Sequence, residues 1–166
     1  MKLKFLANIL LILVVGTLNA QTIKGTFAIK NVETGKLLRI KDAKRNEGTP
    51  LVLYSPVNWK CMTWDFKPIS GDIYQLSNLF TNKTFSPEKE MKGSGLEQMV
   101  IDEGNEQQHW EFLKQVDGTY LIRLSGTDLY LTPSDPDGKV NSPVILVGRQ
   151  KNGLQCWTIY EQHPSF

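Results

Sequence analysis

The chain has 166 residues, 40% hydrophobic and 10% aromatic, enough to fill one core and unlike collagen-like, low-complexity or disordered compositions. Its formal charge of +2 rests on Lys2 and Lys4, so residues 21–166 carry equal numbers of basic and acidic side chains. Nucleic-acid binding draws much of its affinity from phosphate contacts, so this balance disfavours it, and an anionic membrane surface likewise.

Residues 1–20 differ from the rest. Lys2 and Lys4 precede an apolar run from Phe5 to Val15, broken by Asn8, and small residues Gly16, Thr17 and Ala20 follow. Charged, then apolar, then small is the plan of a secretory signal peptide. The run is shorter than the ~20 residues that a spanning helix needs. Cleavage is predicted after Ala20, with a retained N-terminal anchor as the other reading. No second apolar segment follows, so the domain at 21–166 is predicted to lack a membrane span and to be secreted, or periplasmic or extracellular.

The first predicted strand carries Phe27 and Ile29, and Glu33-Thr34-Gly35-Lys36 makes a turn. Leu38 restarts the apolar pattern, Leu51-Val52-Leu53 forms a third strand, and Met62-Thr63-Trp64-Asp65-Phe66 a fourth. The order then recurs. Tyr74 and Leu76 lead to the turn Phe80-Thr81-Asn82-Lys83, then Phe85, Met99-Val100-Ile101 and Gln108-His109-Trp110-Glu111-Phe112. Tyr120 and Ile122 lead to Ser125-Gly126-Thr127-Asp128, Leu131, Val144-Ile145-Leu146 and Gln155-Cys156-Trp157-Thr158-Ile159.

Trp64, Trp110 and Trp157 are spaced by 46 and 47 residues. In a strand, residues two apart share a face, so each Trp run turns a bulky side inward. One such repeat cannot bury its own apolar face, so the three must share a core. The prediction is an all-β protein, a β-trefoil of three four-stranded repeats with pseudo-threefold symmetry at about Gly25–Gly71, Asp72–Gly118 and Thr119–Glu161. Trp64, Trp110 and Trp157, with Gln108 and Gln155, are predicted to belong to its structural core.

The Gln-x-Trp element, recurring after a Tyr/Phe-x-Ile strand and a Gly/Asn turn, resembles the ricin B-type lectin family over essentially all of 25–161. Gln108-His109-Trp110 and Gln155-Cys156-Trp157 match fully; Met62-Thr63-Trp64 matches at Trp. The resemblance implies a shallow sugar pocket in each repeat. Its carboxylate and amide groups take hydrogen bonds from hydroxyls, and an aromatic face packs on the C–H face of the sugar ring. The family's Asp position falls on Arg39, Ser86 and Thr132. Its aromatic position falls on Tyr54, Asp102 and Val147, and its amide on Cys61, Gln107 and Leu154. No repeat holds the whole set.

In the first repeat, Tyr54, Asn58 and Trp59 fall near Arg39 and Asp42. Trp59 has no counterpart in the other repeats and reads as a stacking platform or as packing beneath its own loop. In the second, Ser86, Glu88, Asp102, Asn105 and Gln107 form either a hydroxyl-binding set or, the favoured reading, a solvated surface. In the third, Ser134-Asp135-Pro136-Asp137-Gly138 reads as a turn and departs from the EF-hand spacing of a calcium loop. Cys61 and Cys156, both read as outward-facing, fit two separate thiols better than a disulfide. No metal or cofactor motif is recognised. His109 and His163 lie beside no nucleophile motif, and nothing in the sequence pairs Glu88, Glu90 or Asp102, so catalysis is not expected. The leading expectation is a secreted lectin-like module that binds glycans or glycoconjugates. The alternative is a protein-binding trefoil: a protease inhibitor, or an adhesion or toxin-accessory subunit with a secreted protein partner.

Overall fold

Alternating apolar residues in the first and fourth strands of each repeat face one interior, and these six strands close on themselves. The computed structural model describes residues 22–165, so the signal peptide predicted at 1–20 lies outside them. The strands are β1 (Gly25–Asn31), β2 (Leu37–Ile40), β3 (Leu51–Tyr54) and β4 (Thr63–Ser70); β5 (Ile73–Asn78), β6 (Thr84–Pro87), β7 (Leu96–Met99) and β8 (Trp110–Lys114); β9 (Tyr120–Leu124), β10 (Leu129–Pro133), β11 (Val144–Gly148) and β12 (Cys156–Glu161). Strand β1 pairs with β4 and β12, β5 with β4 and β8, and β9 with β8 and β12, all antiparallel. Each barrel strand therefore has two neighbours and offers no open edge to another chain.

The remaining strands form hairpins β2–β3, β6–β7 and β10–β11. These bond to one another in a threefold pattern. The amides of Leu53, Gln98 and Leu146 donate to the carbonyls of Ser142, Thr49 and Ser94 at 2.9, 2.8 and 2.9 Å. Their own carbonyls accept from Asn141, Gly48 and Gly93, which sit at φ 65, 72 and 87°. Glycine tolerates that left-handed backbone, and Asn is among the few other residues that visit it routinely. The indoles of Trp64, Trp110 and Trp157 are fully buried and donate to Leu38, Phe85 and Leu131 at 3.3, 3.4 and 3.2 Å. Each thus ties a barrel strand to its own hairpin at the same place in each repeat. A six-stranded barrel with three mutually bonded hairpins is the β-trefoil architecture. Four short 3₁₀ turns are the only helical elements among the described residues.

The structure corrects three details. Strand β7 is Leu96–Met99, not Met99–Ile101. Gln98 occupies the core position held by Leu53 and Leu146; its Nε2 donates to the Lys44 and Asn46 carbonyls at 3.2 and 2.8 Å, while its Oε1 is buried without a partner. A buried glutamine breaks the apolar signature, while Val100 in the more apolar run is 53% exposed. Next, Met62, Gln108 and Gln155 each end a 3₁₀ turn instead of opening a strand. Finally, Cys61 is buried, not outward-facing, and both cysteines are free thiols.

Candidate functional site

Strand register defines three equivalent pocket positions. Arg39 pairs with Val52, Ser86 with Glu97 and Thr132 with Ile145, and the third strands carry Tyr54, Met99 and Val147 at matching places. Asp102, expected at the aromatic position, lies three residues beyond it because β7 begins earlier than the sequence pattern suggests.

In the first repeat Arg39 is only 7% exposed, and its guanidinium lies over the Tyr54 ring at 4.0 Å from the centroid. Its Nη2 is 3.7 Å from the Asp42 carboxylate, and its Nε is buried without a partner. The Tyr54 face that would stack a sugar is therefore covered by this chain's own cation. Behind it, burial pushes the Cys61 thiol up, a shift that the nearby Arg39 charge opposes.

Trp59 sits beside Tyr54, its ring centroid 6.2 Å away and tilted by 31°. It alone of the four tryptophans stands partly in solvent, at 38% exposure. Its backbone is held: the Trp59 carbonyl accepts from the Met62 amide and the Thr63 hydroxyl, both at 3.0 Å. Two residues earlier the Val57 carbonyl accepts from Gln162 Nε2 at 3.2 Å. The ring therefore projects from an anchored loop. It borders a pocket of about 240 Å³ shared with Ala43, Lys60, Cys61 and Phe80. Phe80 comes from the turn between β5 and β6, so the pocket lies on the seam between the first and second repeats. Asp42 and Ala43, beside it, hold φ of 53 and 52°. Left-handed backbone at two successive non-glycine residues is costly, and such strain concentrates at functional sites. Asn58 is exposed next to Trp59.

The second set serves its own loop. Asp102 Oδ1 accepts from the Gly104 amide at 3.0 Å, and Asn105 Oδ1 accepts from the Gln107 amide at 3.0 Å. Ser86 is buried in β6, Gln107 is half-buried in the turn before β8, and Glu88 is exposed. In the third repeat Thr132 is buried, and its hydroxyl accepts from Gln155 Nε2 at 3.0 Å. Asp135 caps its own turn, accepting the amides of Asp137 and Gly138 at 2.9 and 3.1 Å. His109 is half-buried with Nε2 3.2 Å from the Glu103 carbonyl. His163 is exposed, 3.7 Å from Glu161.

Sequence reasoning missed Lys60, Ala43 and above all Phe80, which was read as the start of a turn. A signal existed: Phe80 stands where the first repeat has Glu33 and the third has Gly126. An aromatic in a turn, with small or polar residues at its equivalents, asks for a partner.

No family model matches the chain, and no curated protein matches it in sequence. Solved structures do match. A designed threefold-symmetric protein, ThreeFoil, is 18% identical with a TM-score of 0.78, covering 82% of this chain and 98% of its own. The Rhizoctonia solani agglutinin is 17% identical at TM-score 0.76, over 86% and 98%. A ricin B-like lectin from Macrolepiota procera, solved with lactose, is 21% identical at TM-score 0.71, over 84% and 96%. Some matches lie within longer chains: the aligned part is 18% of a mosquitocidal holotoxin. At these identities the likeness establishes the fold.

Proposed function

We propose that this chain is an exported, non-catalytic carbohydrate-binding module, its leader removed after Ala20, and that the loop carrying Asn58 and Trp59 forms its main binding surface. The observation that carries the reading is Trp59. A partly exposed indole on a backbone-anchored loop, beside an aromatic-walled pocket, is the arrangement that packs on the C–H face of a sugar. Lectins among the structural neighbours, one bound to lactose, support the class. The family's own pockets contribute less here. Arg39 covers Tyr54, and Thr132 is engaged by Gln155. The second set, Ser86, Asp102, Asn105 and Gln107, is a subsidiary surface at most, since two of its members are spent on turn formation.

A glycan array probed with the wild type and with Trp59→Ala tests this. Binding by the wild type that Trp59→Ala abolishes supports the reading; no response to any glycan overturns it. The filled Tyr54 face favours one other reading, a protein-binding trefoil whose rigid loops grip a secreted partner. Near-stoichiometric inhibition of a protease by the purified protein, with an empty array, would select that alternative.

A further inference from the structure

The three equivalent hairpin-and-loop segments differ sharply in charge although residues 21–166 are neutral overall. Segment 36–60 holds Lys36, Arg39, Lys41, Lys44, Arg45 and Lys60 against Asp42 and Glu47. Segment 83–106 reverses this, with Lys83, Lys89 and Lys92 against six carboxylates. Segment 129–153 is nearly balanced, with Lys139, Arg149 and Lys151 against Asp135 and Asp137. The positive charge is concentrated around the Trp59 pocket.

The side chains there place it usefully. The Arg45 guanidinium lies over the Phe80 ring, 4.1 Å from its centroid, so this face of Phe80 carries a cation as the Tyr54 face does. Lys83, from the second repeat, donates to the Arg45 carbonyl at 2.8 Å, which brings a further cation to this rim. Lys60 lines the pocket itself. Among the described residues none of these three pairs with a carboxylate; the nearby Asp42 is engaged with Arg39. An apolar floor of Trp59, Phe80, Ala43 and Cys61 thus carries a rim of unpaired cations. The volume, about 240 Å³, is below the roughly 300–1,000 Å³ of a pocket for a drug-sized ligand.

We infer that the seam pocket between the first and second repeats binds an anionic saccharide, one sugar ring packing on Trp59 while its carboxylate or sulfate meets Arg45, Lys60 and Lys83. This rests on the carbohydrate-binding reading above and adds the ligand's chemical class. Neutral sugars would use the Trp59 face alone. The anionic group adds contacts with three cations at the surface, each modest in water and screened by salt.

The test is calorimetric titration of the purified protein with three oligosaccharides alike except at the terminal residue: neutral, glucuronate-bearing and sulfate-bearing. At about 0.05 M salt at least one anionic ligand should bind about tenfold more tightly than the neutral one. That preference should shrink at about 0.5 M salt. The two anionic arms decide between carboxylate and sulfate. Arg45→Ala with Lys60→Ala should remove the preference, whereas Lys139→Ala with Lys151→Ala, on the third repeat, should leave it intact. Neutral and anionic ligands binding equally, or a preference that survives Arg45→Ala with Lys60→Ala, would overturn this inference and leave the carbohydrate-binding reading standing. An oligonucleotide bound as tightly as the anionic saccharides would also overturn it, as simple cation exchange. Failure of all three saccharides would overturn this inference, while the glycan array decides the carbohydrate-binding reading.

Discussion

The first and second repeats hold the same loop, the one leading into the Trp strand, by different means. In the second, Gln108 does it from within. Its Oε1 accepts from the Asp102 amide at 2.9 Å and from Gln75 Nε2 at 2.8 Å, and its Nε2 donates to the Val100 carbonyl at 2.9 Å. In the first, Met62 takes that place and packs with Ala28, Leu37 and Cys61. The loop is fastened instead by Gln162, which donates to the Val57 carbonyl and accepts from the Thr63 hydroxyl at 2.8 Å. The comparison teaches that the loop's anchoring is required while the residue that supplies it is exchangeable. The repeat that departs from the internal pattern is also the one with an indole in solvent and a pocket beside it. Departures from local consistency of this kind are where function is expected.

Substitutions at shared and unshared positions test this difference. The largest effect belongs to what the repeats share: Trp110→Ala should cost about 3–5 kcal/mol in urea unfolding, as a cavity in a packed core. A loss below about 1 kcal/mol would mean that the indole is not a core element. Gln108→Ala strands the Asp102 amide and the Val100 carbonyl and should cost about 2–3 kcal/mol. Gln162→Ala should cost about 1 kcal/mol by the same measurement, because it frees fewer buried partners, and should loosen the Trp59 loop. Faster hydrogen exchange at residues 57–63 in that variant would be the accompanying sign. Trp59→Ala should change stability by no more than about 0.5 kcal/mol while removing glycan binding, so folding and recognition separate at this residue. With a thiol reagent, half-buried Cys156 should react ahead of Cys61, whose thiol is buried and raised above its usual range. Equal rates would mean that the first-repeat loop opens as readily as the third.

Much of the fold was legible in the chain. Three tryptophans at near-constant spacing, each followed by an inward Phe or Ile, dictate a shared core, and the threefold hydrogen bonds from the indoles are its direct consequence. What escaped were places where a polar residue does an apolar residue's work. Gln98 fills a leucine position by bonding to two carbonyls of the neighbouring repeat, which no alternation pattern reveals. The candidate site was legible in part. Trp59 stood out as a residue without a counterpart, and Tyr54 lies beside it as expected. Arg39 stacking over Tyr54 was not foreseeable, because a charge in an aspartate's position does not say which way it turns. Phe80 escaped because the pocket is built across a repeat boundary, and the periodicity of one repeat carries no trace of its neighbour's side chains.

The most direct measurement is the indole N–H NMR spectrum of the purified protein, titrated with the glycan that binds best. Trp64, Trp110 and Trp157 donate to hairpin carbonyls inside the core and should hold their positions, while the Trp59 signal moves in proportion to occupancy. A saturable response confined to the second or third repeat, with Trp59 unmoved, would contradict binding at the first-repeat loop.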